Sequence, residues 1–146
     1  MTETTAQQEE KAYSRRINRD TLSDVNKGIR NFIVLGKRYR DPTYSARKLA
    51  DDIHTNTRYL SAAIRMYYGC NFSELVNKLR VDEAKEMLAN PLCTMTIEDI
   101  SISSGFANRQ SFYSAFERYT GVKPKEYRKN MALKDNDNAF ELLSFD

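Results

Sequence analysis

The chain has no tryptophan, one histidine, two cysteines, three prolines and five glycines in 146 residues. Each shortage removes a class of protein. With His54 the only histidine, a Ser-His-Asp or Cys-His catalytic set would have to be built on that residue alone. Cys70 and Cys93 have no second cysteine pair or histidine cluster beside them. They support neither a zinc site nor a disulfide framework, and read as two thiols of a reducing compartment. No glycine-rich phosphate loop is present, and no apolar run approaches the ~20 residues that cross a bilayer. The N-terminal stretch MTETTAQQEEKAYSRR lacks the apolar core of a secretory signal. The expectation is a cytoplasmic protein that is not an enzyme and has no metal, no cofactor and no membrane contact.

Apolar residues make up 40% of the chain and charged residues 29%, which suits a soluble globular fold. The formal net charge is only +3, but it is unevenly spread. Residues 1–130 carry 22 basic and 16 acidic groups; residues 131–146 carry one and four. A basic body with an acidic tail is compatible with a polyanionic partner for the body.

Residues 1–20 are polar, uneven in pattern and without strong caps, and read as an N-terminal segment that is flexible or only marginally helical. From Thr21 the spacing of Leu22, Val25, Ile29, Phe32 and Ile33 is helical, ending near Gly36. Asp41-Pro42 marks a break. No stretch sustains alternation of period two, so the fold class is all-α. Residues 131–146 form an acidic C-terminal tail in which Phe140, Leu142, Leu143 and Phe145 are interspersed. A disordered tail, a short amphipathic helix that folds back, and a contact with a partner are the readings it allows.

The most informative feature is an internal repeat. Residues 49–75 and 100–127 match at an offset of 51 before a turn (Leu49 with Ile100) and 52 after it. Beyond the turn Asn56 pairs with Asn108, Leu60 with Phe112, Ala63 with Ala115, Ile64 with Phe116, Tyr67 with Tyr119 and Gly69 with Gly121. Each copy reads as a short helix, a tight turn holding His54 in the first copy, and a longer helix that begins after an asparagine cap and stops at glycine. On a helical wheel Leu60, Ala63, Ile64 and Tyr67 face inward in the first copy; Arg58, Ala62 and Arg65 face outward, with Ser61 at the margin. In the second, Phe112, Ala115, Phe116 and Tyr119 face inward. Gln110, Ser114 and Glu117 face out, flanked by Arg109 and Tyr113.

Between the copies, residues 72–89 read as one continuous helix whose apolar stripe changes sides. Phe72, Leu75, Val76 and Leu79 share one face, and Val81, Ala84 and Leu88 nearly the opposite one. A helix docking its two halves on two different modules needs this pattern. Eighteen residues at ~1.5 Å each span roughly 27 Å, near the ~34 Å between successive major-groove faces of B-DNA.

These residues resemble the DNA-binding domain of the AraC/XylS family of bacterial transcription regulators. The likeness is carried by Leu49-Ala50, Tyr59-Leu60-Ser61, Arg80-Val81 with Ala84 and Leu88, Ile97 with Ile100, Gly105-Phe106, Phe112 with Phe116, Tyr119-Thr120-Gly121, and Pro124 with Tyr127-Arg128. It covers about residues 43–129. The resemblance implies about seven helices forming two helix-turn-helix modules, at about 43–69 and 96–121, joined by the linker helix at about 72–89. A final helix at about 124–130 completes a domain spanning 21–130. It implies a sequence-specific regulator that places two recognition helices in adjacent major grooves of double-stranded DNA and binds as a monomer. The chain is similar in length to the short stand-alone members, or to an excised C-terminal domain of a longer one.

Carried over by position, the base-reading residues are Arg58, Ser61 and Ala62 in the first module and Arg109, Gln110 and Ser114 in the second. Many relatives have arginine where this chain has Ala62 and Ser114. The arginine fork of Arg109 suits a guanine edge, and the Gln110 amide suits adenine. Arg58 suits either a base or a phosphate. Arg65 and Arg118 are expected on phosphate, as are Lys123 and Lys125, which flank Pro124 at a helix start. The plain alternative for each is a solvated charge. A second reading of the whole is a protein-interaction module of the same fold, for example a contact for RNA polymerase, with weak DNA affinity. A steep salt dependence of DNA binding separates the two.

Overall fold

The computed structural model describes residues 4–143, without the side chains of Ser14, Arg16, Ile17, Phe140, Leu142 and Leu143. Among the described residues all regular structure is helical: α1 (Thr5–Ile29), α2 (Ala46–Ile53), α3 (Thr57–Tyr68), α4 (Phe72–Ala89), α5 (Ile97–Ser103), α6 (Arg109–Thr120) and α7 (Pro124–Leu143). A wider π-helical turn, Arg30–Leu35, prolongs α1, and a short 3-10 turn lies at Arg38–Arg40. The all-α expectation is met. None of these helices is long and apolar enough to cross a membrane.

Two ends differ from expectation. Residues 5–20 form regular turns of α1 in place of the expected flexible or only marginally helical segment, because Thr4 opens α1 with a reciprocal cap. Its hydroxyl accepts the Gln7 N–H, and the Gln7 side chain accepts the Thr4 N–H at 3.0 Å. The T-x-x-Q spacing is the signal of this start in the sequence. Once the packed turns around Val25 and Ile29 are nucleated, extending a helix through Gln, Glu, Lys and Ala costs little. At the other end α7 continues to Leu143 rather than stopping near residue 130. No proline or glycine follows Pro124 to end it. Residues 144–146, and with them Phe145 of the expected tail, lie outside the described residues.

The chain divides into two compact units. The first takes residues up to Arg38 together with Tyr44–Leu75; the second takes Tyr39–Thr43 and everything from Val76. The boundary falls inside α4. In the first unit α1 packs on α2 and α3, burying Ile29, Ile33, Leu49, Leu60 and Ile64 completely. Gly28 of α1 lies against Ile53 of α2, where a Cβ would stand 2.7 Å from the isoleucine side chain. In the second unit Val81, Ala84 and Leu88 of α4 pack with Ile100, Phe106, Phe112 and Phe116. The Phe112 ring stands 5.1 Å from that of Phe106 and 5.6 Å from that of Phe116. Full burial of one such side chain is worth about 1.5–3 kcal/mol, against about 1 kcal/mol for a helix cap. Packing therefore holds the helices together, and the caps set where each begins.

The segment Tyr39–Thr43 is a strap fixed to the second unit by α4. The buried Arg80 guanidinium donates to the carbonyls of Tyr39 (2.7 Å) and Asp41 (3.2 Å). Burial lowers its affinity for the proton, and Asp41 partly offsets this. One turn on, Glu83 pairs with both the Nε and Nη2 of Arg40. Gly105, at φ 102°, lies directly against the strap. A Cβ there would sit 2.8 Å from the Arg40 Cα and still closer to the Tyr39 carbonyl oxygen.

Gly105→Ala is therefore expected to cost more than ~2 kcal/mol, from the positive φ and from displacement of the strap. Gly69→Ala, at φ 69° with open space around it, is expected to cost about 1 kcal/mol from backbone strain alone. Urea unfolding of the two variants distinguishes the effects; equal losses would exclude a role for the close approach.

Burial, followed by the Glu83 carboxylate, pushes the Tyr39 phenol up from 10.0 to about 12. Burial raises Tyr44, which donates to Asp52 at 2.6 Å, and Tyr68 in the same direction. The folded chain then holds these protons more tightly than the unfolded one. Stability should be intact below pH ~10 and fall as the pH rises toward 12. Tyr39→Phe is expected to make that fall shallower in unfolding measured across pH 9–12; an unchanged slope would remove Tyr39 from the account.

Candidate nucleic-acid interface

In the first unit, α2 ends at His54, which caps it in the left-handed region (φ 64°). Thr55 then returns an N–H to the Ala50 carbonyl at 2.9 Å. The chain extends at Asn56, whose side chain accepts the Tyr59 N–H at 2.8 Å and opens α3. Leu60, Ala63 and Ile64 are buried against α1 and α2. At the far end of α3 the Tyr68 hydroxyl donates to Asn26 of α1 at 2.8 Å. With one face pinned at both ends, the opposite face is left to solvent. Arg58, Ser61, Ala62 and Arg65 are all exposed there.

The second unit repeats the device with one more turn residue. Ser104 caps α5, Gly105 turns the chain, and Asn108 accepts the Ser111 N–H at 2.8 Å to open α6. Phe112, Ala115 and Phe116 are buried, while Arg109, Gln110, Ser114, Glu117 and Arg118 are exposed. The Arg109 guanidinium lies over the Tyr113 ring, 4.9 Å from its centroid. This stacking, worth ~0.5–1 kcal/mol at an exposed site, restricts the arginine without satisfying its N–H fork.

α7 starts at Pro124, with Lys123 and Lys125 exposed on either side of it. Its first turn is held by the Tyr127 ring, edge-on to Phe116 at 5.4 Å. Arg128 donates to the carbonyls of Met95 (2.8 Å) and Cys93 (3.2 Å). The second unit thus brings Lys123 and Lys125 to the start of a helix packed beside α6. Nothing in the described residues gathers three His, Cys, Asp or Glu side chains as a metal site.

Some features differ from the wheel or escape it. Tyr67 and Tyr119, expected inside, are 42% and 39% exposed. The wheel gives a direction but not the point along the helix where the core ends. Tyr68, not Tyr67, is the partly buried tyrosine at the end of α3. Tyr59 and Met66 of α3 are exposed large apolar residues that periodicity alone does not single out. The Arg109–Tyr113 pairing is signalled by its i, i+4 spacing. The groove of about 350 Å³ between α5 and the start of α6, lined by Thr96, Glu98, Ile102, Asn108, Arg109 and Tyr113 among others, has no sequence signal. It depends on the angle between two helices.

A family described as a helix-turn-helix domain matches residues 49–130. Over 89 residues the chain is 24% identical to the melibiose operon regulatory protein of Escherichia coli, covering 61% of this chain and 29% of that protein. Over 85 residues it is 33% identical to the HTH-type transcriptional regulator YobQ of Bacillus subtilis, covering 58% and 34%. The chain thus spans about a third of the length of these relatives. Its fold is similar to the solved structure of the C-terminal domain of AraT, a response regulator from Geobacillus stearothermophilus, with a TM-score of 0.64 and 24% identity over 73% of this chain and 84% of that one.

Proposed function

The chain belongs to the AraC/XylS family of helix-turn-helix proteins, and from that premise we propose that it is a sequence-specific transcription regulator placing α3 and α6 in adjacent major grooves of one DNA duplex. The carrying observation is that two helices of the same repeat each open on an asparagine cap, bury one apolar face, and leave the other exposed and rich in hydrogen-bonding groups. The unbroken 18-residue α4 joins the two modules within one chain, as a single chain with two reading helices requires.

Within this reading Arg58, Ser61 and Ala62 meet base edges from α3, and Arg109, Gln110 and Ser114 from α6. Both sets lie in the first half of their helices, the part that enters the groove in such modules. Arg109 approaches guanine with its fork, already ordered by the Tyr113 ring. Arg65, Arg118, Lys123 and Lys125 meet phosphates; the N–H groups that open α7 and its dipole favour an anion there. The regulator acts without a catalytic step. Footprinting of a single chain on its preferred duplex, chosen from random sequences, is expected to protect two consecutive major grooves on one face. Protection of one groove, or strict dimers on a palindrome, would overturn the reading, and absence of duplex selectivity would favour the protein-interaction alternative.

Reading and positioning separate by mutation. Arg109→Ala should cost ~1–3 kcal/mol on the preferred duplex and relax selectivity at one base pair. Lys125→Ala should weaken all duplexes about equally and reduce the salt slope by roughly one unit. Both remove one positive charge, so net charge cannot explain a difference between them. Equal losses on preferred and scrambled duplexes for Arg109→Ala would withdraw it as a base reader.

A further inference from the structure

The two copies of the repeat diverge on the face they expose. On α3 the outward side divides in two along its length. Arg58, Ser61 and Arg65 form a polar edge, and Tyr59, Ala62 and Met66 form an adjoining apolar stripe at i, i+3 and i+7. Tyr59 is 41% and Met66 56% exposed. At the 52-residue offset, α6 carries Ser111, Ser114 and Arg118 in the corresponding places, all exposed. The inner faces kept apolar residues in both copies; only the outer faces changed polarity. An exposed methionine and tyrosine on a short helix lose favourable burial unless something apolar covers them.

In a major groove the apolar feature within reach of such a stripe is the thymine C5-methyl group. Alanine and other apolar side chains meet it without needing a hydrogen bond. Ala62 and Met66 are four residues apart, ~6 Å along the helix axis, which matches about two base-pair steps. Resting on the DNA-binding reading above, we infer that the first module recognises thymine methyl groups through Ala62 and Met66, with Tyr59 beside them. The second module reads its half-site through the hydrogen bonds of Arg109, Gln110 and Ser114. The stripe commits to DNA rather than a protein because it shares its helix face with Arg58 and Arg65, which hold that face against a polyanion.

Deoxyuridine tests this directly, since it removes the methyl and keeps every Watson–Crick hydrogen bond. The preferred duplex is made with its thymines replaced one at a time and titrated with the full chain at fixed salt. In the half-site whose selectivity Arg109→Ala leaves unchanged, one or two replacements should each weaken binding about fourfold, the cost of leaving one methyl unburied. Replacements in the other half-site should cost less. The double variant Ala62→Ser, Met66→Gln changes only exposed positions, so it should stay folded by circular dichroism and lose this sensitivity. Selective binding with no penalty for uracil, a first half-site without thymine, or an unchanged penalty in the double variant would each overturn the inference while leaving the DNA reading intact. Absence of selective binding to any duplex would instead overturn the DNA reading, and this inference with it.

Discussion

The buried guanidinium of Arg80 is the constraint on which the arrangement of the second unit turns. A charge removed from water must be surrounded by oxygen acceptors or forfeit several kcal/mol. Here the acceptors are main-chain carbonyls of Tyr39 and Asp41, supplied by a segment some forty residues earlier in the chain. That segment must therefore lie against α4, and Glu83 holds it there through Arg40. Its backbone then runs so close to Gly105 that no side chain fits. Gly105 begins the turn that leads to Asn108 and the first residues of α6. The placement of Arg109 thus follows, through a strap and a glycine, from satisfying one buried cation.

The two modules obtain the same local geometry in different ways. His54 adopts a left-handed conformation that costs a non-glycine residue some strain, but nothing crowds it enough to require glycine. Gly105, at the matching place in the repeat, is required by a neighbour as well as by its torsion angle. The outer faces diverge further, apolar along one edge of α3 and polar throughout the corresponding part of α6. Under the proposed function, a duplicated scaffold with unlike outer faces suits an asymmetric DNA site, as opposed to the palindrome that a symmetric dimer requires.

Much of the candidate site is legible without coordinates because a helix repeats at 3.6 residues and an asparagine cap marks its start. Given Asn56 and Asn108, the outward positions of Arg58, Ala62, Arg109, Gln110 and Ser114 follow from rotation alone. The reach of the core does not follow, which is why rotation alone puts Tyr67 and Tyr119 inside. Nor do the extents of α1 and α7. Among the described residues the outer turns of both helices bury no side chain completely, so they carry little periodic signature, and only the Thr4–Gln7 cap betrays one of the two.

By itself the sequence determined the all-α class, the duplication, the helix starts at asparagine and the continuity of residues 72–89. These are local or periodic properties, set by backbone hydrogen bonding and by the spacing of apolar residues. The tertiary structure alone decided that residues 39–43 join the second unit, that Arg80 is buried on carbonyls rather than paired with a carboxylate, that Gly105 is a point of close approach, and that a groove opens between α5 and the start of α6. Those features depend on which distant segments meet and at what angle, and no periodicity within one helix encodes that.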